Sequence, residues 1–301
     1  MKLSFSFIGL LLTPLFILCA NESKPLCQNH LNYTRCDYTL KTESLAHNNV
    51  PVFVYTSLKK RNKPVEYILF LHGRGYAREI GAKDSMLEHL KLNDFYKDQK
   101  NSDFVFIAPQ DIFHHEDSQS IGQDYWIGKN DRDWDRFLGI DIPLFTKNLN
   151  QQLQTEGTLR TVLGISMGAH GALMLGQNYQ NTYPQVIALS PIFRPTPSEI
   201  PTNDNDIFLK FGVLGLEHIN FGTKLNHGTA LLAERTYITI SQTDFGLSKE
   251  NFPNGRESWE RLLDTKNGEN DSFIEILSDE RGHSMALWQD QLNAAFVWLF
   301  N

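Results

Sequence analysis

Cysteine is scarce: there are three in 301 residues, at positions 19, 27 and 36, and none beyond. So few cannot build a disulfide scaffold, and the spacing of Cys27 and Cys36 is neither a C-x-x-C unit nor accompanied by a second pair, which argues against a zinc or redox site. Positive charge is also short, with 28 Lys and Arg against 35 Asp and Glu and a formal net charge of −7. No basic patch is offered to a phosphate backbone, so nucleic acid is not an expected partner. Internal repeats and low-complexity linkers are missing too. Hydrophobic residues make up 41% of the chain and charged residues 21%. Those ordinary values exclude disorder and a multi-span membrane protein, and the length suits one large α/β domain.

A long apolar run occurs only at the start, in "MKLSFSFIGLLLTPLFILCA". Lys2 supplies a positive beginning, Ile8 to Leu18 supply a run of signal-peptide length, and Ala20 offers a small residue for cleavage. The run is short for a span and is interrupted by Pro14. Residues 1–20 are therefore read as a signal peptide and 21–301 as one domain, secreted or periplasmic, with no stable membrane span after processing. A lipid anchor on Cys19 is the alternative. With residues 1–20 removed, Cys27 and Cys36 remain, and an oxidising compartment favours a disulfide stapling an amino-terminal loop.

Downstream, short apolar runs alternate with helical patterns, the signature of a mostly parallel sheet covered by helices. Strands are expected over Val52–Thr56, Val65–Leu71, Phe104–Ala108, Arg160–Ile165, Gln185–Leu189, Tyr237–Ser241 and Phe273–Leu277. The first two, joined by "SLKKRNKP", are expected to form an antiparallel hairpin. Helices are expected over Ile140–Leu153 and Met167–Asn178. In a last helix, Met285, Trp288, Leu292, Ala295, Phe296 and Leu299 form one core-facing stripe. Residues 191–235, rich in proline and small polar residues, break the rhythm. They read as a cap over the carboxyl ends of the strands, or as a surface excursion.

Ser166 stands in Gly164-Ile165-Ser166-Met167-Gly168, a G-x-S-x-G elbow with a strand before it and a helix after it. Side chains at its second neighbours would collide with the adjoining strand and helix, so glycine fits at 164 and 168. The turn also aims the Met167 N–H at a developing oxyanion. A serine hydroxyl needs a base and an orienting acid, each on a loop after a later strand. His283, in "SDERGHSMALW", follows the last strand, whereas His114, His115, His170, His218 and His227 do not. Asp244, after "TYITIS", has the position of the acid, ahead of Asp204, Asp206, Asp279 and Glu280. In "ILFLHGRGYA" a glycine-rich turn ends a strand and brings backbone N–H groups to the same oxyanion, from Gly73 or Arg74; His72 is a structural residue of that turn.

Together "LHGRG", "GISMGAHGAL", "ALSPIF" and "GHSMALW" resemble the α/β-hydrolase superfamily, and within it the putative-esterase group that includes esterase D-like and feruloyl or acetyl-xylan esterase-like enzymes. "SMGAHGAL" is similar to the "SMGGHGAL" of that group. The resemblance implies an α/β-hydrolase fold, with Ser166 as nucleophile, Asp244 as acid and His283 as base. It also implies Met167 with Gly73 or Arg74 as oxyanion donors. Where such enzymes often carry a strand-end glycine before the acid, this chain has Ser241. In "GQDYWIGKNDRDWDRF", Tyr125, Trp126 and Trp134 are candidates to stack on a sugar or aromatic ester as a cleft wall. The D-x-D-x-D run lacks the glycine and closing glutamate of a calcium loop, so no metal is expected. The expected activity is hydrolysis of a small-molecule or polymer-linked ester, without a cofactor. An acyltransferase using the same triad and a catalytically silent binding protein are the alternatives.

Overall fold

The computed structural model describes residues 25–45, 49–59, 64–73, 76, 85–97, 101, 103–111, 126, 133–193, 221–226, 228–249, 255–266 and 269–300. Among the described residues nine strands form one sheet: β1 Leu26–Asn29, β2 Tyr33–Lys41, β3 Asn49–Ser57, β4 Val65–Leu71, β5 Phe104–Pro109, β6 Gly157–Ile165, β7 Gln185–Leu189, β8 Arg235–Ser241 and β9 Ser272–Leu277. Their spatial order is β1-β2-β3-β5-β4-β6-β7-β8-β9. From β5 to β9 neighbours run parallel; β1, β2 and β3 are antiparallel to one another, and β3 is antiparallel to β5.

The expected hairpin of β3 with β4 does not form, because β5 lies between them. The reason lies in β4, whose VEYILFL run has buried residues pointing to both sides of the sheet. Such a strand belongs in the middle, between parallel partners with helices on both faces. It takes β5 and β6 as neighbours, and β3 pairs outside β5, with Val54 opposite Ile107. Of the basic residues expected in the connecting turn, Lys60, Arg61 and Lys63 lie outside the described residues.

Helices cover both faces. One face, through Val54, Leu69, Ile107, Val162 and Ile238, joins a core with α4 (Ile142–Gln152), α5 (Met167–Asn178) and α7 (Gly255–Lys266). The other, through Phe53, Ile68, Phe106 and Ile187, packs on α1 (Met86–His89), α2 (Leu92–Lys97) and α8 (Met285–Phe300). There Phe95 stands edge-on to Phe106 and Phe296, at ring separations of 5.4 and 4.9 Å. The stripe expected on α8 is buried at Trp288, Leu292, Ala295, Phe296 and Leu299. Before α4, the short helix α3 (Trp134–Arg136) passes through one π-helical turn, Phe137–Asp141.

The described ends of the 191–235 segment belong to the main core. Phe193, Ala230, Leu232 and Ala233, with Phe221 and Leu225 of α6 (Phe221–Asn226), pack in the same cluster as Trp259. Residues 194–220, where a cap was expected, lie outside the described residues, as do residues 1–20 and Cys19. Among the described residues no helix is long and apolar enough to cross a membrane.

At the opposite edge Cys27 and Cys36 are joined by a disulfide. It was expected to staple a loop; the two residues are instead directly opposed in the β1–β2 ladder. Beside it Arg35 is fully buried. Its guanidinium grips Asp37 with two bonds, Nε to Oδ1 at 2.8 Å and Nη2 to Oδ2 at 3.0 Å, and donates from Nη1 to Glu88 Oε1 at 3.1 Å. Burial is the largest single influence and works against the charge, yet the hydrogen bonds to Asp37 and Glu88 and the attraction of Asp37 together outweigh it and hold the Arg35 pKa above its ordinary value. Glu88 in turn closes the capping box of α1, accepting the Ser85 N–H.

Candidate active site

Parallel strands place all their carboxyl ends along one edge, and the loops leaving that edge meet there. Ser166 sits at the end of β6 with φ 56° and ψ −114°, a strained conformation for a residue with a side chain. Sterics on both sides hold it. A Cβ on Gly164 would lie 2.0 Å from the Gly168 carbonyl oxygen, and one on Gly168 would lie 2.0 Å from the Leu71 carbonyl oxygen at the end of β4. The elbow helix can approach the sheet this closely only with glycine at both positions. The Ser166 N–H donates to the Leu189 carbonyl of β7 at 2.8 Å, fixing the turn against the next strand.

Three loops converge on the serine. His283, before α8, places Nε2 2.8 Å from Ser166 Oγ and Nδ1 2.8 Å from Asp244 Oδ2. Asp244, buried after β8, accepts the Gly246 N–H on its other oxygen, Oδ1, at 2.9 Å. A carboxylate bonded on Oδ1 to its own loop can present only Oδ2 to the imidazole, which fixes the rotation of both. The imidazole lies between two rings, Trp288 edge-on at 4.8 Å and Phe245 tilted at 4.3 Å. Trp288 is anchored in turn, its Nε1–H donating to Ser190 Oγ at 3.0 Å.

Ser241, the departure from the strand-end glycine, ties two of these loops together. Its hydroxyl donates to the Asp279 carbonyl in the histidine loop, while its oxygen accepts the Thr243 N–H at 3.2 Å in the acid loop. The histidine loop is braced further by Arg281, which bonds Asp279 through Nε and Nη2 and reaches the Ala286 carbonyl at the start of α8. Those bonds from Arg281 hold the Asp279 carboxyl below the usual carboxylate range. Asp279, a rival for the acid, is thus committed to Arg281.

Met167 opens α5, where backbone N–H groups have no partner within the helix and the helix dipole favours negative charge. Gly73 lies beside the serine: a Cβ there would come within 3.5 Å of the Ser166 Cβ. Its N–H, however, donates to Met86 Sδ at 3.1 Å. Arg74, the alternative donor, lies outside the described residues. His72 is a structural residue, as expected: its Nε2 accepts the Asp111 N–H at 3.1 Å, so its Nδ1 carries the proton and donates to the Gly73 carbonyl at 2.8 Å.

The aromatic loop requires a correction. Trp126 and Trp134 are buried, so neither can stack on a sugar. Trp126 donates from Nε1 to the His72 carbonyl at 3.1 Å and stands edge-on to Trp134 at 4.9 Å, bracing the strand-β4 turn from within. Tyr125 lies outside the described residues. The nearby carboxylates are engaged with the protein: Asp133 caps α3 by accepting the Arg136 N–H, and Asp135 accepts from Tyr179 Oη at 2.8 Å. Sequence reasoning missed Phe245, Trp288 and Met86 as neighbours of the site. Adjacency to Asp244 could have pointed to Phe245; nothing local points to Met86, which is 80 positions from the serine.

The family model described as "Putative esterase" matches residues 43–299. The chain belongs to this esterase family. No curated protein matches it. Among solved structures it is similar to a ferulic acid esterase, at 14% identity and a TM-score of 0.62 over 90% of this chain and 98% of that one. It is similar also to an S-formylglutathione hydrolase from Agrobacterium tumefaciens, at 15% identity and 0.57 over 92% and 100%. An acetyl xylan esterase from Paenibacillus sp. R4 matches at 11% and 0.55 over 91% and 87%. At such identities the likeness speaks for the α/β-hydrolase fold, while family membership makes this chain an esterase, a carboxylic-ester hydrolase.

Proposed function

We propose that the esterase is secreted or periplasmic and works through Ser166, His283 and Asp244 by way of an acyl-enzyme. The observation that carries this reading is the unbroken chain of 2.8 Å contacts from Ser166 Oγ through the imidazole to Asp244. As Oγ attacks the ester carbonyl carbon, its proton passes to His283 Nε2, and Asp244 stabilises the imidazolium through Nδ1–H. The carbonyl oxygen becomes an oxyanion facing the Met167 N–H at the start of α5. The second donor in this reading is the amide of Gly73 or Arg74; the Gly73 N–H rests on the weak thioether acceptor of Met86, which an oxyanion would displace. The imidazolium then returns its proton to the alcohol oxygen as the carbon–oxygen bond breaks, leaving the acyl group on Ser166. Water, deprotonated by His283, attacks the acyl carbon; the bond from that carbon to Ser166 Oγ breaks, Oγ takes the proton back from His283, and the acid is released. No step needs a cofactor. The Cys27–Cys36 disulfide and the apolar first twenty residues support export.

Fluorophosphonate labelling with peptide mapping tests the reading, beside turnover of p-nitrophenyl esters of rising chain length. Label confined to Ser166, with turnover lost in a folded Ser166→Ala variant, is the expected result. Label elsewhere, or turnover that survives the substitution, would overturn it.

A further inference from the structure

The proposed chemistry assigns two sides to the site. The acyl group stays on Ser166, whereas the alcohol leaves with the proton from His283 Nε2, so the alcohol passes the flank of the imidazole that substrate can reach. The two rings against that imidazole differ in this respect. Trp288 is 5% exposed and bound through its N–H to Ser190, so its flank is closed by the core. Phe245 is 40% exposed, with its ring centroid 4.3 Å from that of His283. It is held at this position by the short 3-10 turn Phe245–Leu247, whose first bonds are Gly246 N–H to Asp244 Oδ1 and Leu247 N–H to the Asp244 carbonyl. The acid that orients the histidine therefore also fixes an apolar ring beside it.

Resting on the hydrolase reading above, we propose that Phe245 is a specificity-determining residue that receives the alcohol part of the ester. It favours alcohols that carry a ring, aryl or glycosyl. The physical ground is that a phenyl face packs best on another ring or on the C–H face of a sugar, where it gains contact area that a short open chain cannot supply. Phe245 does not enter the proton transfers. Its effect is on how well the leaving group is held while His283 protonates it.

The test compares acetates of one acyl group and different alcohols, followed by acid release in a pH-stat: ethyl, cyclohexyl and phenyl acetate and an O-acetylated methyl xyloside. Wild-type enzyme is measured against Phe245→Ala and the more conservative Phe245→Leu. For Phe245→Ala, kcat/KM is expected to fall about 3- to 10-fold further for a ring-bearing alcohol than for ethanol, the scale of one ring contact. Loss with phenyl and cyclohexyl acetate alone identifies an aryl or carbocyclic alcohol; loss with the xyloside alone identifies a sugar. An equal loss across all four esters would overturn the proposal and make Phe245 a support of the histidine. So would a loss that tracks acyl length in a matched series of ethyl esters. If Phe245→Ala fails to fold, the same comparison is read from Phe245→Leu. Failure of the hydrolase reading is recognised separately, because wild-type enzyme would then leave ethyl acetate intact and Ser166 unlabelled by fluorophosphonate.

Discussion

The two edges of the sheet are held together by different means. At the β1–β2–β3 edge, a disulfide and a buried guanidinium gripped by two carboxylates fasten antiparallel strands. At the carboxyl ends of β6, β8 and β9, three loops are joined to one another by single hydrogen bonds around one strained residue, Ser166. The first edge has strong, redundant ties; the second carries the proposed reacting groups on ties that can each be lost alone. Stability and chemistry are thus separable, and substitutions at the two edges should read out on different instruments.

The largest effect is expected at the reacting edge. Asp244→Asn keeps the shape of the side chain but can no longer hold His283 as the Nδ1–H tautomer, and should lower kcat by about 10,000-fold. Thermal unfolding should barely move. A melting temperature that drops in step with activity would break the contrast, since Asp244 would then be a structural tie of the same kind as Asp37.

At the other edge Arg35→Met is the matching experiment. It strands Asp37 and Glu88 without their cation, in a site from which water is excluded, and should destabilise the fold by about 3–5 kcal/mol. Turnover per folded molecule should stay close to wild type. Adding Asp37→Leu to Arg35→Met should recover part of the stability, because the penalty lies in the uncompensated charge more than in the lost bond. Denaturant unfolding of the three proteins measures this.

Replacing Cys27 and Cys36 together by serine comes next. Closing so short a loop constrains the unfolded chain by about 2–3 kcal/mol, and the substituted protein should lose roughly that much. Ester turnover at 25 °C should persist. Loss of activity ahead of unfolding would mean that the ribbon is coupled to the elbow through Glu88, α1 and Met86, which reaches Gly73 beside the serine.

How much of this was legible in the sequence follows the same division. The elbow could be read because local sterics dictate it: 2.0 Å contacts at Gly164 and Gly168 leave one residue type possible, so the spacing itself carries the information. His283 and Asp244 could be placed because each follows a strand with a clear apolar run. The position of β5 between β3 and β4 could not, since it is decided by which strand has two apolar faces to bury, a competition among segments far apart in the chain. Trp126 and Trp134 misled for a related reason. A cluster of aromatics suggested a cleft wall, but Asp133 and Asp135 cap a helix and meet Tyr179 while the indoles fill the core. Ser241 was visible as an oddity but not as a tie, because its partner lies 38 positions away.

Ser241 gives the smallest effect and the sharpest test of the division. Ser241→Gly removes a hydroxyl that joins the Asp244 loop to the Asp279 carbonyl. One net hydrogen bond is worth about 1 kcal/mol, so stability should fall by no more than that. If the bond serves to keep the Asp244 and His283 loops in register, kcat should fall about 3- to 10-fold with KM unchanged, because misplacing an acid–base pair weakens transition-state stabilisation without touching substrate binding. A fall in stability with kcat intact would place this tie with Arg35 and the disulfide, and the boundary between the two kinds of region would then run through β8 rather than along its end. A fall in kcat with stability intact would mean that this chain replaces the backbone freedom of a glycine with a side-chain bond, reaching the same placement of the acid by a different local route.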